Sequence, residues 1–159
     1  MNSRGYLTEK EVRFPEEEIT DSGPVPIIEC PEEIPCDPCC ENCPAGAIEM
    51  EGVTALPEVN YDRCTGCGIC MEVCPGLAIF MIDASSEEVR LTLPFEFPLP
   101  EIGETVTTLN RQGEPVGTTT VKEVKPRQES AGDTPTVTVE VTDTEARQVR
   151  NIRRQNGRK

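Results

Sequence analysis

Residues 64–75 read CTGCGICMEVCP. Cys64, Cys67, Cys70 and Cys74 are separated by two, two and three residues, and Pro75 follows the last of them. The chain has no histidine, so these thiols have no imidazole partners for metal binding or nucleophilic catalysis. The spacing C-x2-C-x2-C-x3-C-P is that of thiolates holding an iron–sulfur cube. Zinc ribbons also use cysteines two residues apart, but set their two pairs well apart along the chain. Three thiolates from so short a loop can surround one cube only if the backbone turns tightly. Gly66 and Gly68 permit that turn, because glycine enters conformations closed to other residues, and they let backbone N–H groups approach cluster sulfides. Where two cubes lie side by side, the fourth cysteine of such a run ligates the other cube. The run therefore demands a second set of cysteines.

That set is CPEEIPCDPCCENCP, residues 30–44. Superposing Cys43-Pro44 on Cys74-Pro75 matches Cys39 with Cys70 and Cys36 with Cys67. Glu33 then falls where Cys64 stands, and Cys30, three residues earlier, is the replacement thiol. The first run is thus C-x5-C-x2-C-x3-C-P, with Pro31, Pro35 and Pro38 stiffening its widened loop. The downstream segments agree: PAGAIEM (44–50) parallels PGLAIFMID (75–83), an internal repeat of about thirty residues. Between the copies, EGVTALPEVNYD (51–62) reads as a β-hairpin or a loop with two short strands, with Ile48, Val59, Val73 and Ile79 as core groups. Two 4Fe–4S clusters use eight of the nine cysteines. Cluster 1 takes Cys30, Cys36, Cys39 and, from the other run, Cys74; cluster 2 takes Cys64, Cys67, Cys70 and Cys43. Cys40 is left over, either as a small apolar side chain or as a ligand trading with Cys39. Because the first run is irregular, one 4Fe–4S cluster beside a three-iron or vacant site stays open.

The formal charge of −14 is unevenly spread. Residues 1–88 hold 19 Asp and Glu against 4 Lys and Arg, and residues 89–159 hold 10 against 11. An acidic cysteine half suits steering towards a basic patch on a protein partner, or simply keeps the chain soluble. It argues against nucleic acid, whose phosphates it would repel. The start, MNSRGYLTEKEVRF, has no apolar secretory core, and no apolar run nears the roughly 18 residues of a membrane span. The expected location is the cytoplasm, where cysteines serve as metal ligands rather than disulfides, in an anaerobic or low-oxygen host. No phosphate-binding glycine loop occurs. The chain has no Ser–His or Cys–His pair, so catalytic residues of its own are not expected.

The remaining chain divides by composition. Residues 1–24, with PEEE and DSGP, read as a flexible acidic arm. VPIIE (25–29) is a short strand leading into Cys30. Residues 25–84 form the cysteine domain, ending in the polar hinge ASSEE (84–88). Residues 85–142 change to β-branched alternation: VRLTLPFEF (89–97), TVTTLNR (105–111), VGTTTVKEVKP (116–126) and TPTVTVEV (134–141) read as four strands of a small antiparallel sheet or barrel. DTEARQVRNIRR (143–154), with acid early and arginine late, reads as a helix capped by Asp143 or Thr144, followed by a basic tail to residue 159.

Residues 25–83 resemble a bacterial two-cluster ferredoxin. More particularly, IECPEEIPCDPC, CENCPAGAI, CTGCGICMEVCPGLAIF, LPFEFPLPEIGE and VRNIR resemble the small ferredoxin-like subunits of FAD-dependent dehydrogenases of amino acids and amines, of the hydroxyproline, proline or sarcosine type. Together with the residue patterns above, the resemblance gives an expected α+β fold: a ferredoxin-like two-cluster module, then a small antiparallel β-sheet or barrel extension, then the short C-terminal helix read from residues 143–154. It also implies a hetero-oligomer in which a flavin subunit oxidises a C–N bond and this chain relays single electrons to an acceptor. A free-standing ferredoxin shuttle and a non-redox module stapled by metal are the alternatives.

Overall fold

In the computed structural model, residues 4–155 are described. Nine strands and four single-turn helices arise in chain order: α1 (Glu17–Thr20), β1 (Val25–Ile28), α2 (Pro38–Glu41), β2 (Ile48–Glu49), β3 (Glu58–Val59), α3 (Ile69–Glu72), β4 (Ile79–Asp83), β5 (Val89–Pro94), β6 (Thr105–Asn110), β7 (Pro115–Lys125), β8 (Thr136–Val141), α4 (Asp143–Ala146) and β9 (Val149–Arg154). Seven strands make one sheet in the order β1-β4-β5-β8-β7-β6-β9, and β2 pairs with β3 alone. All pairings are antiparallel.

Alternation drives the sheet. In β5, Val89, Leu91 and Leu93 are buried while Arg90 is exposed, the period of a strand with one face inward. Inward side chains from all seven strands form one cluster, among them Ile27, Phe80, Leu91, Val106, Val121, Val139 and Val149. Burying each such side chain contributes roughly 1.5–3 kcal/mol. The sheet curls, because its first and last strands approach one another: Arg150 of β9 donates to Glu29, one residue beyond β1. The expected four-strand extension thus gains β9, and the sheet continues through β4 and β5, where Ile82 faces Leu91 across the ASSEE turn.

Strands β1 and β4 have two buried faces. Phe80 and Ile82 point into the curled sheet; Ile79 and Met81 point the other way, joining Cys39, Ile48, Cys70 and Met71 in a second, smaller cluster. The cysteine unit is therefore seated on the outside of β1 and β4. Of the four core groups expected there, Ile48 and Ile79 are buried and Val59 packs at the edge, whereas Val73 is only half-buried.

Two expectations are corrected. The helix expected over 143–154 is only one turn, capped by Thr142 rather than Asp143 or Thr144: the Glu145 N–H donates to Thr142 Oγ1 and the Thr142 N–H to the Glu145 carboxylate. The rest of the segment is β9. Its buried residues Val149 and Ile152 are three apart, a helical spacing, because the β6–β9 register slips between Leu109 and Asn110. That bulge puts both on the inner face, and burial against β6 outweighs weak helix propensity. The segment expected as a flexible arm is packed where described: Val12 is buried, Leu7, Phe14 and Ile19 lie against the main cluster, and the Ala84 N–H donates to Thr20 O. Residues 156–159 of the basic tail lie outside the described residues.

Candidate metal centres

The two cysteine runs fold alike. In α2 and α3, the N–H groups of Asn42 and Val73 donate to the carbonyls of Pro38 and Ile69, each at 3.0 Å. Cys43 and Cys74 follow in the same place, their N–H groups bonded to Cys40 O and Met71 O. Four residues on, Ala47 N–H donates to Cys43 Sγ at 3.2 Å and Ala78 N–H to Cys74 Sγ at 3.4 Å. These bonds require a left-handed residue between proline and alanine. Gly46 fills it in one copy with φ +55°, and Leu77 in the other with φ +51°. Gly66 also takes positive φ, +70°, and a Cβ there would sit 2.3 Å from Pro24 O.

The runs also exchange their last cysteines. Cys43, Cys64, Cys67 and Cys70 line one cavity. Cys30, Cys36 and Cys74 line another. Cys39 does not line it, but Cys74 and Cys36 both push its thiol up. Burial is the larger cause, and together they raise Cys39 to about 11. Cys36 is likewise raised by burial, then by Cys74 and Cys30. Burial, Cys67, Cys64 and Cys39 raise Cys70 to about 12 even though the Met71 N–H opposes them, so α2 and α3 bring the two buried thiols near each other. Burial also acts on Cys43, but the N–H groups of Ala47, Ala45, Ile48 and Gly46 outweigh it and hold that thiol below its ordinary value. Metal loading must expel protons from the raised thiols.

Cys40 stands apart. Its Sγ donates to Ile48 O at 3.1 Å, and it occupies the position that buried Met71 holds in the other copy. Its thiol is raised by burial and then by Glu41, Asp37, Cys43 and Glu49.

The donor set suits a cube better than a single ion. Among the described residues, no three Cys, Asp or Glu side chains converge on a point where one ion could be held. Four thiolates on one zinc must all come within about 2.3 Å of it, whereas a cube presents a separate iron to each thiolate. Donors that are all thiol are soft ligands of the kind iron–sulfur clusters use. When bound, such clusters supply one-electron chemistry.

Long-range contacts absent from the local spacing frame the site. Glu29, beside Cys30, receives Arg111 Nη2 at 2.6 Å, Arg111 Nε at 2.8 Å and Arg150 Nε at 2.5 Å. Burial raises the Glu29 carboxyl, but the two guanidiniums outweigh it and hold the group below its ordinary value. Glu72 on α3 is buried and bonded by Lys125 and by the Ala131 N–H. Nothing in sequence spacing links these groups; only the 82 and 121 residues between Glu29 and its arginines, closed by the curled sheet, do so.

Residues 57–80 match the model of the 4Fe–4S binding domain. These residues form a 4Fe–4S ferredoxin segment. A 58-residue stretch is 47% identical to ferredoxin-type protein NapF of Haemophilus influenzae, covering 35% of this chain and 33% of that one. Another of 56 residues is 45% identical to pyruvate synthase subunit PorD of Methanothermobacter marburgensis, covering 35% and 63%. A third of 53 residues is 34% identical to the polyferredoxin-like subunit of an aliphatic sulfonate oxidoreductase of Pyrococcus furiosus, covering 33% and 28%. The matched segment spans less than two thirds of each relative. No solved structure matches the chain. Among the described residues, no helix is long and apolar enough to cross a membrane.

Proposed function

We propose that the chain is an electron-transfer subunit holding two 4Fe–4S clusters, which relays single electrons from a flavin-dependent amino-acid or amine dehydrogenase subunit to an acceptor. The observation that carries the two-cluster part is the crossing of the runs, with Cys43 lining the cavity of Cys64, Cys67 and Cys70, and Cys74 that of Cys30 and Cys36. Cluster 1 takes Cys30, Cys36, Cys39 and Cys74, and cluster 2 takes Cys43, Cys64, Cys67 and Cys70. Cys39 is preferred to Cys40 because Cys40 is turned to Ile48 O. The protein excludes water from the clusters and places N–H groups on their sulfurs, which tunes their potentials. Cys67 is the exposed thiol of its quartet and makes that side the natural point of electron exchange.

A fixed subunit is favoured over a free shuttle by the names of two relatives, which are subunits of pyruvate synthase and of an aliphatic sulfonate oxidoreductase, and by the large sheet joined to the cysteine unit. The flavin partner rests on the resemblance of the cysteine segments and LPFEFPLPEIGE to the small subunits of amine dehydrogenases. Anaerobic purification from the native host tests the reading. A brown protein with about eight irons, co-purifying with a flavoprotein that reduces it on addition of an amine, is the expected result. A colourless protein with stoichiometric zinc overturns electron transfer, and a brown monomer that captures no flavoprotein overturns the fixed subunit.

A further inference from the structure

We propose that Glu29, Arg111 and Arg150 set the redox order of the two clusters, making the cluster of Cys30, Cys36, Cys39 and Cys74 the one that keeps the electron. This rests on the two-cluster reading above. The three side chains are deeply buried, with exposures of 8%, 10% and 4%. Within this buried group two guanidiniums against one carboxylate leave a net charge of +1, since arginine does not deprotonate in proteins; Glu9 also acts on Arg150 but is exposed, so water screens it. Glu29, Arg111 and Arg150 line the same cavity as Cys30, Cys36 and Cys74.

Arg150 Nη1 donates to Ala146 O and Val149 O, and its guanidinium lies 5.2 Å from the centre of the Phe80 ring. Its Nη2 is buried and has no hydrogen-bond partner among the described residues. A buried guanidinium with one nitrogen left unpaired is only partly compensated, so its charge acts on its surroundings with little screening. Glu32 also lines the cavity but is exposed, so water screens it.

The other quartet differs in kind. The cavity shared by its four cysteines is lined otherwise by Pro26, Ala47, Ile48, Met81 and other uncharged groups; Cys67 also lines an open cleft with Asp83, Arg90, Glu123, Lys125 and Glu129, where both signs of charge are present. The nearby buried acid, Glu72, is neutralised by Lys125. A cluster gains one negative charge on reduction. A buried, weakly screened cation beside only one quartet stabilises the reduced form there. The side chains thereby bias where a single electron resides. No bond forms or breaks, and the electron comes from the other cluster, itself reduced by an external one-electron donor.

The test is an anaerobic redox titration of the full chain with both clusters loaded, reduced by dithionite and followed by EPR. A Cys67→Ser background alters the signal of its own cluster and so assigns the two. Arg150→Gln removes the net charge, and Glu29→Gln raises it to two. The expected result is opposite shifts of one cluster, down and up, each at least tenfold in the reduced-to-oxidised ratio, or 59 mV for one electron, with the Cys67 cluster unmoved. Arg150→Lys keeps the charge and restores the potential. Should Arg150→Gln fail to fold, Arg111→Gln carries the same prediction. Shifts of equal sign, equal shifts of both clusters, or none overturn the proposal. Iron analysis of the chain with all nine cysteines separates the two readings: fewer than about eight irons overturns the two-cluster reading and this proposal together, while full iron without opposed shifts overturns this proposal alone.

Discussion

The two cysteine copies share a frame and differ in how they are held. From the single-turn helix to the alanine N–H on the last cysteine sulfur, α2 and α3 repeat one another bond for bond. Upstream they part. The second copy reaches its helix through Gly66 and Gly68, both at positive φ; the first through a longer, proline-stiffened loop whose Cys36 N–H is held by Val53 O. The second is anchored to the sheet by a neutral Glu72–Lys125 pair, the first by a cationic group around Glu29. Local hydrogen bonding fixes where the last thiol of each run points, and the surroundings decide what charge it meets.

Substitutions at matched positions break or sharpen this comparison. The largest effect is on metal content. Cys30→Ala is expected to lose one cluster, about half of roughly eight irons, while Cys40→Ala keeps them all; iron and sulfide analysis of anaerobically loaded protein decides. Loss of iron from Cys40→Ala with none from Cys30→Ala would show that the copies are aligned wrongly.

Next comes the glycine turn of the second copy. Gly66→Ala must adopt a left-handed backbone and push against Pro24 O, so a loss of about 2 kcal/mol or more is expected. Gly68→Ala has the same backbone problem without the clash and is expected to lose about 1 kcal/mol. Urea unfolding of the loaded proteins compares them; equal losses would remove Pro24 from the account.

The paired acids follow. Lys125→Met leaves the buried Glu72 carboxylate with neutral donors only, and about 2 kcal/mol of stability is expected to go. Glu41, the matching residue of α2, is exposed, and Glu41→Gln should change stability by less than about 0.5 kcal/mol. A thermal-unfolding midpoint that falls as far for Glu41→Gln would refute the asymmetry. The last effect is a gain: Leu77→Gly relieves the left-handed strain that Gly46 avoids, and up to about 1 kcal/mol of stabilisation is expected. Destabilisation on the same assay would mean that the Leu77 side chain contributes packing worth more than its strain.

What could be read from the residues follows from the range of the forces involved. That Cys43 shares a cavity with Cys64, Cys67 and Cys70 agrees with the spacing, whose constraints act on residues a few positions apart, and strands β5 to β8 were readable because alternation repeats within each. β9 was not, since one bulge opposite Leu109 turns a strand into a helical spacing. The packing of Val12 and Phe14 was hidden by the surrounding acids, which stay in solvent while a few apolar side chains reach the sheet. The strain at Leu77 could have been found, because the repeat aligns it with Gly46. The Glu29 group could not, since no local pattern joins residues 29, 111 and 150.

The meeting of the sheet's two edges has a bearing on biosynthesis. Glu29 and Cys30 leave the ribosome early, but Arg150 is made about 120 residues later. At roughly 5–20 residues per second, the first quartet waits on the order of ten seconds before the strand that carries its cation exists. Once Cys74 has been made, the chain offers nine thiols without the last side of their enclosure, so stable metal binding by the thiols beside Glu29 is expected only when synthesis is almost finished.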